Sequence, residues 1–367
     1  MEEWQRLIHE TITKPEVLAR YLDIDVEEVR AVSEKFPFRI NPYYLGLIEE
    51  KGDPIWRQAV PDLKEIEGNG FEDPLAEEHH SPVPGVTHRY PDRVLFYVSH
   101  SCAMYCRFCT RKRKVGSPES VDDQAIEKGL QYIREHLEVR DVIISGGDPL
   151  LLPDRKIEYI LTQLRAIPHV EILRIGSRAP VTLPQRITPQ LCAILKKFHP
   201  LFLLTHFNHP REITPEATKA CAMLADSGIP LGNQSVLLKG VNDDPQVMKK
   251  LVQKLLTIRV KPYLLYQADM VQGTEHLRTT IKEGFEVIKA LRGFTSGLAV
   301  PHYVIDAPGG GGKIAIMPNP VVYFDDQKIV VQNYEGKLFT YETRNANHEQ
   351  IPTGPRLGEN SLPSRDF

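Results

Sequence analysis

Three of the five cysteines of this 367-residue chain fall within eight residues, and this cluster constrains the fold more than any other feature of the sequence. Cys102, Cys106 and Cys109 form the run C-x3-C-x2-C, with Phe108 directly before the last cysteine. Structural zinc sites usually need four ligands. Three thiolates without a fourth suit a cubane [4Fe-4S] cluster with one iron free of protein ligands. The run therefore predicts such a cluster, with a zinc knuckle or three buried thiols as the alternatives.

This spacing, with its aromatic residue before the third cysteine, resembles the cluster loop of the radical S-adenosylmethionine (SAM) enzymes. Membership of that superfamily implies that the open iron binds the amino and carboxylate groups of SAM. It also implies that one electron from the cluster cleaves SAM to a 5′-deoxyadenosyl radical. A low-potential electron donor such as a flavodoxin or ferredoxin is then an expected partner.

Composition argues against several other classes of protein. A formal charge of −3 does not suit a generally basic nucleic-acid binder, and 41% hydrophobic residues is ordinary for a globular protein. No stretch approaches the roughly 20 apolar residues of a membrane span, and the acidic start MEEWQRLIHE has no signal-peptide core. An odd number of cysteines does not suit a disulfide framework. We therefore expect a cytoplasmic protein with neither membrane nor nucleic acid as a partner.

From Asp92 onward, short β-rich runs alternate with amphipathic helical patterns. The predicted strands are 93–98, 141–145, 170–176, 201–206, 231–237 and 263–267, and the predicted helices are 122–137, 156–166, 189–198, 215–227, 244–258 and 280–291. This alternation gives a parallel sheet with right-handed crossovers. Polar side chains collect at the carboxyl ends of all the strands, which favours a barrel enzyme over a doubly wound sheet.

The predicted fold is thus α/β, a partial (β/α)6 TIM-like barrel of the radical SAM type that the resemblance implies. The predicted divisions are an N-terminal helical extension and connector (1–90), the barrel (91–295), a glycine loop with C-terminal strands (296–345) and a flexible polar tail (346–367). His79 and His80 in the connector are interpreted as a solvated pair rather than as metal ligands.

The second chemical feature is the run DAPGGGGK, which ends at Lys313. A Walker P-loop would need glycine in place of Ala307 and serine or threonine in place of Ile314. Residues without side chains let the backbone approach a flat ligand, and a lysine amine forms Schiff bases with carbonyl cofactors. The alternative is a flexible hinge with a solvated lysine.

This run, the cluster run CAMYCRFCTRKRKVG, the segment HFNHP and the run PLGNQSVLLKGVND are similar to the lysine 2,3-aminomutase family, from about residue 40 to residue 340. The resemblance implies that Lys313 holds pyridoxal 5′-phosphate (PLP) and that the three clustered cysteines bind the iron–sulfur cluster. The other residues that it implies are Arg89, Tyr90 and Arg93 near the PLP phosphate, Ser145, Gly146, Gly147, Asp148, His206 and Gln234 near SAM, and Arg111, Asp269 and Asp306 on the substrate. From sequence alone, Arg89, Tyr90 and Arg93 could equally be surface residues.

The two acids decide the expected substrate. In the family, the counterparts of Asp269 and Asp306 grip the lysine side chain, and the counterpart of Arg111 pairs with the α-carboxylate. A glutamate-specific relative should carry a cation or a neutral group there, so we expect conversion of L-lysine to β-lysine. The alternatives are another substrate, such as arginine, glutamate or a lysine of elongation factor P, or a non-catalytic iron–sulfur redox protein.

Two further features qualify the resemblance. Well-known members of the family bind zinc through added C-terminal cysteines, but no cysteine follows Cys221, and Asp244 stands where the zinc ligand of the barrel would be expected. We therefore expect no zinc, and a homo-oligomer is left open. The basic run Arg111 to Lys114 could instead contact nucleic acid, but four charges in a balanced chain are a weak indication.

Overall fold

The computed structural model describes residues 1–116 and 121–342, so the predicted tail 346–367 lies outside the described residues. The chain divides into two compact units, Met1–Ile316 and Met317–Phe367. The boundaries predicted at residues 90 and 295 stay predictions. None of the described helices is long and apolar enough to cross a membrane.

The first unit is built on a nine-stranded sheet in which the strands follow one another in chain order. The strands are β1 (Val86–Tyr90), β2 (Arg93–Tyr97), β3 (Asp141–Ser145), β4 (Ile172–Gly176), β5 (Leu201–Thr205), β6 (Leu231–Leu237), β7 (Val260–Gln267), β8 (His302–Ala307) and β9 (Gly312–Ala315). Strands β2 to β8 are parallel, and β1 and β9 pair antiparallel at the two edges. This confirms the predicted partial barrel.

Helices precede and connect the strands. The α-helices of the described residues are α1 (Glu3–His9), α2 (Pro15–Leu18), α3 (Val26–Lys35), α4 (Pro42–Leu45), α5 (Trp56–Ala59), α6 (Lys64–Glu67), α7 (Asp123–Glu135), α8 (Asp154–Arg165), α9 (Ala179–Thr182), α10 (Pro189–Leu195), α11 (Pro215–Asp226), α12 (Pro245–Thr257) and α13 (Ile281–Leu291). Several begin at a capping side chain: Asp122, Thr214 and Asp244 each accept a hydrogen bond from a first-turn N–H.

Alternation along the strands separates the helix-covered face from the barrel interior. In β2, Phe96 is buried against α7, where a Cβ on Gly129 would lie 2.4 Å from its ring. Its neighbours Leu95 and Tyr97 therefore face the opposite side, toward the interior. The parallel order brings the carboxyl ends of β2 to β8 to one edge, which we call the carboxyl rim.

Hydrogen bonds that involve side chains link β1 to β8 and β9. The Lys313 N–H on β9 donates to Tyr90 Oη on β1 at 2.8 Å. Arg89 Nη1 on β1 donates to Asp306 Oδ1 on β8 at 3.1 Å. Asp306 is paired in register with Lys313.

Both edges of the sheet lie outside the six predicted barrel strands. Within the segment 296–345, for which C-terminal strands are predicted, His302–Ala307 continues the parallel sheet as β8. Within the predicted connector, Val86–Tyr90 forms β1. The strand β1 (VTHRY) is short and polar, and β2 pairs with its backbone groups. It therefore shows no clear alternation of apolar and polar residues in the sequence.

The second unit contains a three-stranded antiparallel sheet of β10 (Val321–Phe324), β11 (Lys328–Gln332) and β12 (Leu338–Glu342). The turn between β10 and β11 is closed by Asp325 Oδ1, which accepts from the N–H groups of Gln327 and Lys328.

Candidate active site

Lys313 lies at the carboxyl rim, on the strand that pairs with the end of β8. Its Nζ donates to Asp306 Oδ2 at 2.6 Å and lies 5.5 Å from the centre of the Tyr266 ring. Asp306 is only 5% exposed at its side chain, whereas the Lys313 side chain is 40% exposed. The amine is therefore held by a buried carboxylate and remains accessible from the rim.

The connector fixes the glycine loop that precedes Lys313. The Gly309 N–H donates to Pro74 O at 3.0 Å. Gly310 has φ +88°, and a Cβ there would lie 2.3 Å from His80 Nε2. The loop thus needs glycine for its backbone conformation and for close contact with His80. His80 is partly buried and packs against this loop, whereas His79 is exposed.

Asp269 follows β7 and interacts electrostatically with Asp306. Burial and the negative charge of Asp306 together raise the pKa of Asp269 to about 7, against the opposing effect of Lys313. Two carboxylates that repel each other in a buried position favour a cation between them.

A second cationic group lies next to Lys313. The Arg93 guanidinium is 3.9 Å from the centre of the Tyr90 ring, and its side chain is 39% exposed. Arg89 Nη2 donates to Leu75 O, while the buried Arg89 Nε has no hydrogen-bond partner among the described residues. Arg93 thus packs on Tyr90, whose hydroxyl accepts from the Lys313 N–H, and Arg89 pairs with Asp306, which also binds Lys313 Nζ.

The three clustered cysteines follow β2 on the same rim and are half-buried free thiols. Burial raises the pKa of Cys109 to about 11 and that of Cys102 well above its usual range. Thiolates at such positions need a positive partner such as iron. No three His, Cys, Asp or Glu side chains of the described residues converge on one ion position. A cubane is bound through three different irons, so its ligands need not converge.

Buried ion pairs attach the cysteine loop to the N-terminal extension. Arg107 donates to both carboxylate oxygens of Glu65, at 2.8 and 2.6 Å, and Lys112 Nζ donates to the same carboxylate at 2.6 Å. Although burial opposes it, these cations lower the pKa of Glu65. The loop is therefore held from α6, outside the barrel sequence.

The basic run after the cysteines is matched by acids of residues 65–78. Arg111 binds Glu77 through Nε and Nη2, with a shortest distance of 2.6 Å, and Lys114 binds Glu78 at 2.8 Å. Arg113 reaches Glu77 at 3.3 Å. Although burial opposes it, Arg111 lowers the pKa of Glu77 to about 2. The run is thus charge-compensated rather than an unpaired basic patch.

The predicted SAM-side glycines pack against the segment that leads into the cysteines. A Cβ on Gly146 would lie 2.3 Å from Ser99 O, and one on Gly147 would lie 2.5 Å from Ser101 O. Ser145, at the end of β3, directly precedes them. Asp148 is a buried acceptor for nearby backbone N–H groups, and burial raises its pKa to about 6. These contacts hold the carboxyl end of β3 against the cysteine loop.

The two weaker SAM candidates lie in different surroundings. His206 has its ring 5.2 Å from that of Phe108 and contacts Asn208 Oδ1 at 3.1 Å. Burial lowers the pKa of His206 to about 3, so the ring is neutral. Gln234 Nε2 donates to Tyr266 Oη at 3.3 Å, which places it beside the ring next to Lys313.

Comparison with known proteins supports the same two centres. A profile described as "Radical SAM superfamily" matches residues 96–252, and one described as "Lysine-2,3-aminomutase" matches residues 288–353. An L-lysine 2,3-aminomutase of Fusobacterium nucleatum subsp. nucleatum is 51% identical over 95% of this chain and 84% of its own length. An L-lysine 2,3-aminomutase of Clostridium subterminale is 52% identical over 92% of this chain and 83% of its own length.

The chain belongs to the lysine 2,3-aminomutase family. This confirms the resemblance on which the sequence-based function was built, and the chain is accordingly an isomerase of the radical SAM superfamily. A glutamate 2,3-aminomutase of Clostridioides difficile is also similar, at 44% identity over 93% of this chain and 82% of its own length. Family membership therefore fixes the reaction class, and the substrate must be argued from the site.

Sequence reasoning missed several residues that shape this aminomutase site. Arg178 donates from Nη1 to Cys106 Sγ at 2.8 Å and from Nη2 to Glu212 at 2.6 Å. Glu65 and Glu77 hold the cysteine loop and Arg111. Arg178 follows a predicted strand and so carried a positional signal, whereas Glu65 in the short helix α6 and Glu77 in the connector carried none.

Proposed function

We propose that this aminomutase converts L-lysine to β-lysine (3,6-diaminohexanoate) by moving the amino group from C2 to C3. The observation that carries the proposal is a pair of carboxylates near Lys313: buried Asp306, which accepts from Lys313 Nζ, and partly buried Asp269, whose pKa is raised by burial and by the charge of Asp306. A distal ammonium relieves their mutual repulsion, whereas the carboxylate of glutamate would increase it. The site therefore favours a cationic side chain.

Lys313 and the residues around it fit PLP. A phosphate would be bound by Arg93 and Arg89, and the orphaned Arg89 Nε is a donor that such an anion can satisfy. Tyr90 fixes the backbone at Lys313. When bound, PLP supplies a carbonyl carbon that links to amines and a ring that lets nitrogen pass between adjacent carbons.

The cysteine loop fits a [4Fe-4S] cluster with SAM on its open iron. Cys102, Cys106 and Cys109 would hold the cluster, and Arg178 donates a hydrogen bond to Cys106 Sγ. Gly146 and Gly147 bring the end of β3 against the loop. When bound, the cluster and SAM supply the oxidant for an unactivated C–H bond at C3.

The chain's own residues orient the substrate at both ends. Arg111 would bind the α-carboxylate, because Glu77 engages its Nε–Nη2 side and leaves Nη1 without a hydrogen bond among the described residues. Asp269 and Asp306 would bind the distal ammonium. Asp306 Oδ2 accepts from Lys313 Nζ at 2.6 Å, so this carboxylate already binds an amine in the described structure.

The chemistry of the iron–sulfur cluster indicates which electron donor and which cellular compartment the enzyme needs. We propose a low-potential flavodoxin or ferredoxin as the donor, because the cluster must be reduced before SAM is cleaved. A reducing cytoplasm keeps the cysteine thiols available for iron.

The direct test is product analysis under strictly anaerobic conditions. Protein reconstituted with iron, sulfide and PLP is reduced and incubated with SAM and, in parallel, with lysine, arginine or glutamate. We expect β-lysine from lysine and slower or absent turnover of the others. Turnover of arginine or glutamate without β-lysine formation would reassign the substrate. Absence of all turnover, with no PLP-dependent absorbance, would support a non-catalytic iron–sulfur protein.

A further inference from the structure

Tyr97 is the last residue of β2 and lies five positions before Cys102. It is 7% exposed. Because Phe96 packs outward on Gly129, the alternation of β2 points Tyr97 into the barrel, at the carboxyl rim. Its side chain is therefore buried on the functional side of the sheet.

The Tyr97 hydroxyl is buried and has no hydrogen-bond partner in the part of the chain that the structure describes. Two other tyrosines are satisfied: Tyr44 Oη donates to Glu212 at 2.7 Å, and Tyr266 Oη accepts from Gln234. A buried hydroxyl without a partner loses its hydrogen bonds to water and gains none in return. It is a place where a ligand atom is expected.

The surroundings of the Tyr97 ring indicate the charge of that ligand. Arg111 Cζ lies 5.8 Å and Lys114 Nζ 5.4 Å from the ring centre. The carboxylate of Glu77 is engaged by Arg111 and Arg113. Nη1 of Arg111 makes no hydrogen bond among the described residues. An anion with two oxygens would satisfy both this nitrogen and the hydroxyl.

We propose that Tyr97 is a carboxylate-binding residue, whose hydroxyl donates to the carboxylate of an amino-acid group that Arg111 also binds. The inference rests on the proposed function, since two molecules in that reaction carry such a group: the substrate and the methionyl part of SAM. Tyr97 lies close to Arg111 and precedes the cysteine loop by five residues, so it can serve either molecule.

The test compares Tyr97→Phe with Tyr132→Phe in reconstituted holoenzyme. Tyr132, on α7, is a matched control because its hydroxyl is satisfied by His88 Nδ1 at 2.8 Å. Binding of SAM, of lysine and of 1,5-diaminopentane, which lacks the carboxylate, is measured by titration calorimetry. Thermal unfolding of each unliganded variant is followed in parallel.

We expect Tyr97→Phe to leave the unfolding midpoint unchanged or raised, because it removes an unsatisfied group. Affinity for lysine or for SAM should fall by about tenfold to a hundredfold, and the ligand affected identifies the carboxylate. Binding of 1,5-diaminopentane should not change. The proposal is overturned if neither affinity falls, or if diaminopentane binding falls as much as lysine binding. Because binding is measured directly, failure of turnover in the unchanged enzyme would count against the proposed function and not against Tyr97.

Discussion

Asp306 accepts hydrogen bonds from two cations, Arg89 and Lys313, and is the residue through which the edges of the sheet and the reactive amine are connected. A single buried carboxylate thus serves the fold and the site. Its neighbour Asp269 makes no ion pair among the described residues, and burial together with the charge of Asp306 raises its pKa to about 7.

Lys313→Ala should remove PLP binding through the Schiff base and abolish β-lysine formation, because no amine remains at the end of the glycine loop. The measurement is the visible absorbance after PLP addition together with product analysis. Lys289→Ala is the matched control, since Lys289 is an exposed lysine whose one ion pair among the described residues is with nearby Glu286. A retained Schiff-base absorbance in Lys313→Ala would move the PLP site elsewhere.

Affinity for lysine should depend on the ionisation of Asp269. Its pKa, raised to about 7, means that the carboxyl is protonated below that pH and no longer attracts the ammonium. KM for lysine should therefore rise about tenfold from pH 8 to pH 6. Asp269→Asn should show a high KM with a flat pH profile between these values. A sloping profile in that variant would assign the titration to another group.

The raised pKa of Asp269 also makes the stability of the fold depend on pH. The folded-state pKa of Asp269 lies above its unfolded value, so this carboxyl favours the folded state only when protonated, and that contribution is lost as the pH rises through about 7. Asp269→Asn should consequently raise the thermal midpoint at pH 8 more than at pH 5. An equal shift at both pH values would contradict this account.

The cysteine loop depends on α6 for its position. Glu65 is fully buried between Arg107 and Lys112, so Glu65→Ala leaves two buried cations without their partner. We expect a loss of about 3–5 kcal/mol in the free energy of unfolding and a lower iron content after reconstitution. Glu67→Ala, at an exposed position of the same helix, should change neither. Urea unfolding and iron analysis test both variants.

The end of β3 must approach the cysteine loop closely. In Gly147→Ala the new Cβ would meet Ser101 O at 2.5 Å, and a backbone atom cannot move away as a flexible side chain can. We expect weaker SAM binding and reduced cluster occupancy. Gly297→Ala is the control, because nothing lies within 4 Å of a Cβ at that position. Equal SAM affinity in the two variants would mean that the loop adapts.

The whole site belongs to the first unit, Met1–Ile316, since every proposed site residue from Arg89 to Lys313 lies within it. A chain that ends at Ile316 is therefore expected to fold and to bind iron, SAM and PLP. Circular dichroism, iron analysis and absorbance of the truncated protein check this. A truncated chain that is unfolded, or that binds none of these groups, would show that residues 317–367 are required.

Much of the architecture was predictable from local pattern. The alternation of strands and amphipathic helices between residues 93 and 291 was sufficient for the parallel barrel, because periodicity over a few residues reflects which side of an element is buried. The roles of Cys102, Cys106, Cys109 and Lys313 are predicted from spacing and resemblance, and they stay predictions. Spacing of this kind is a property of contiguous sequence.

The tertiary structure alone decided which distant residues meet. Arg89 and Asp306 are 217 positions apart, and Arg178 and Cys106 are 72 apart. Tyr97 is an unremarkable strand residue until its hydroxyl is found buried without a partner. Periodicity shows that a residue is buried but not against what. The partners are set only when the sheet curves and its edge strands come together, and that long-range closure assembles the site.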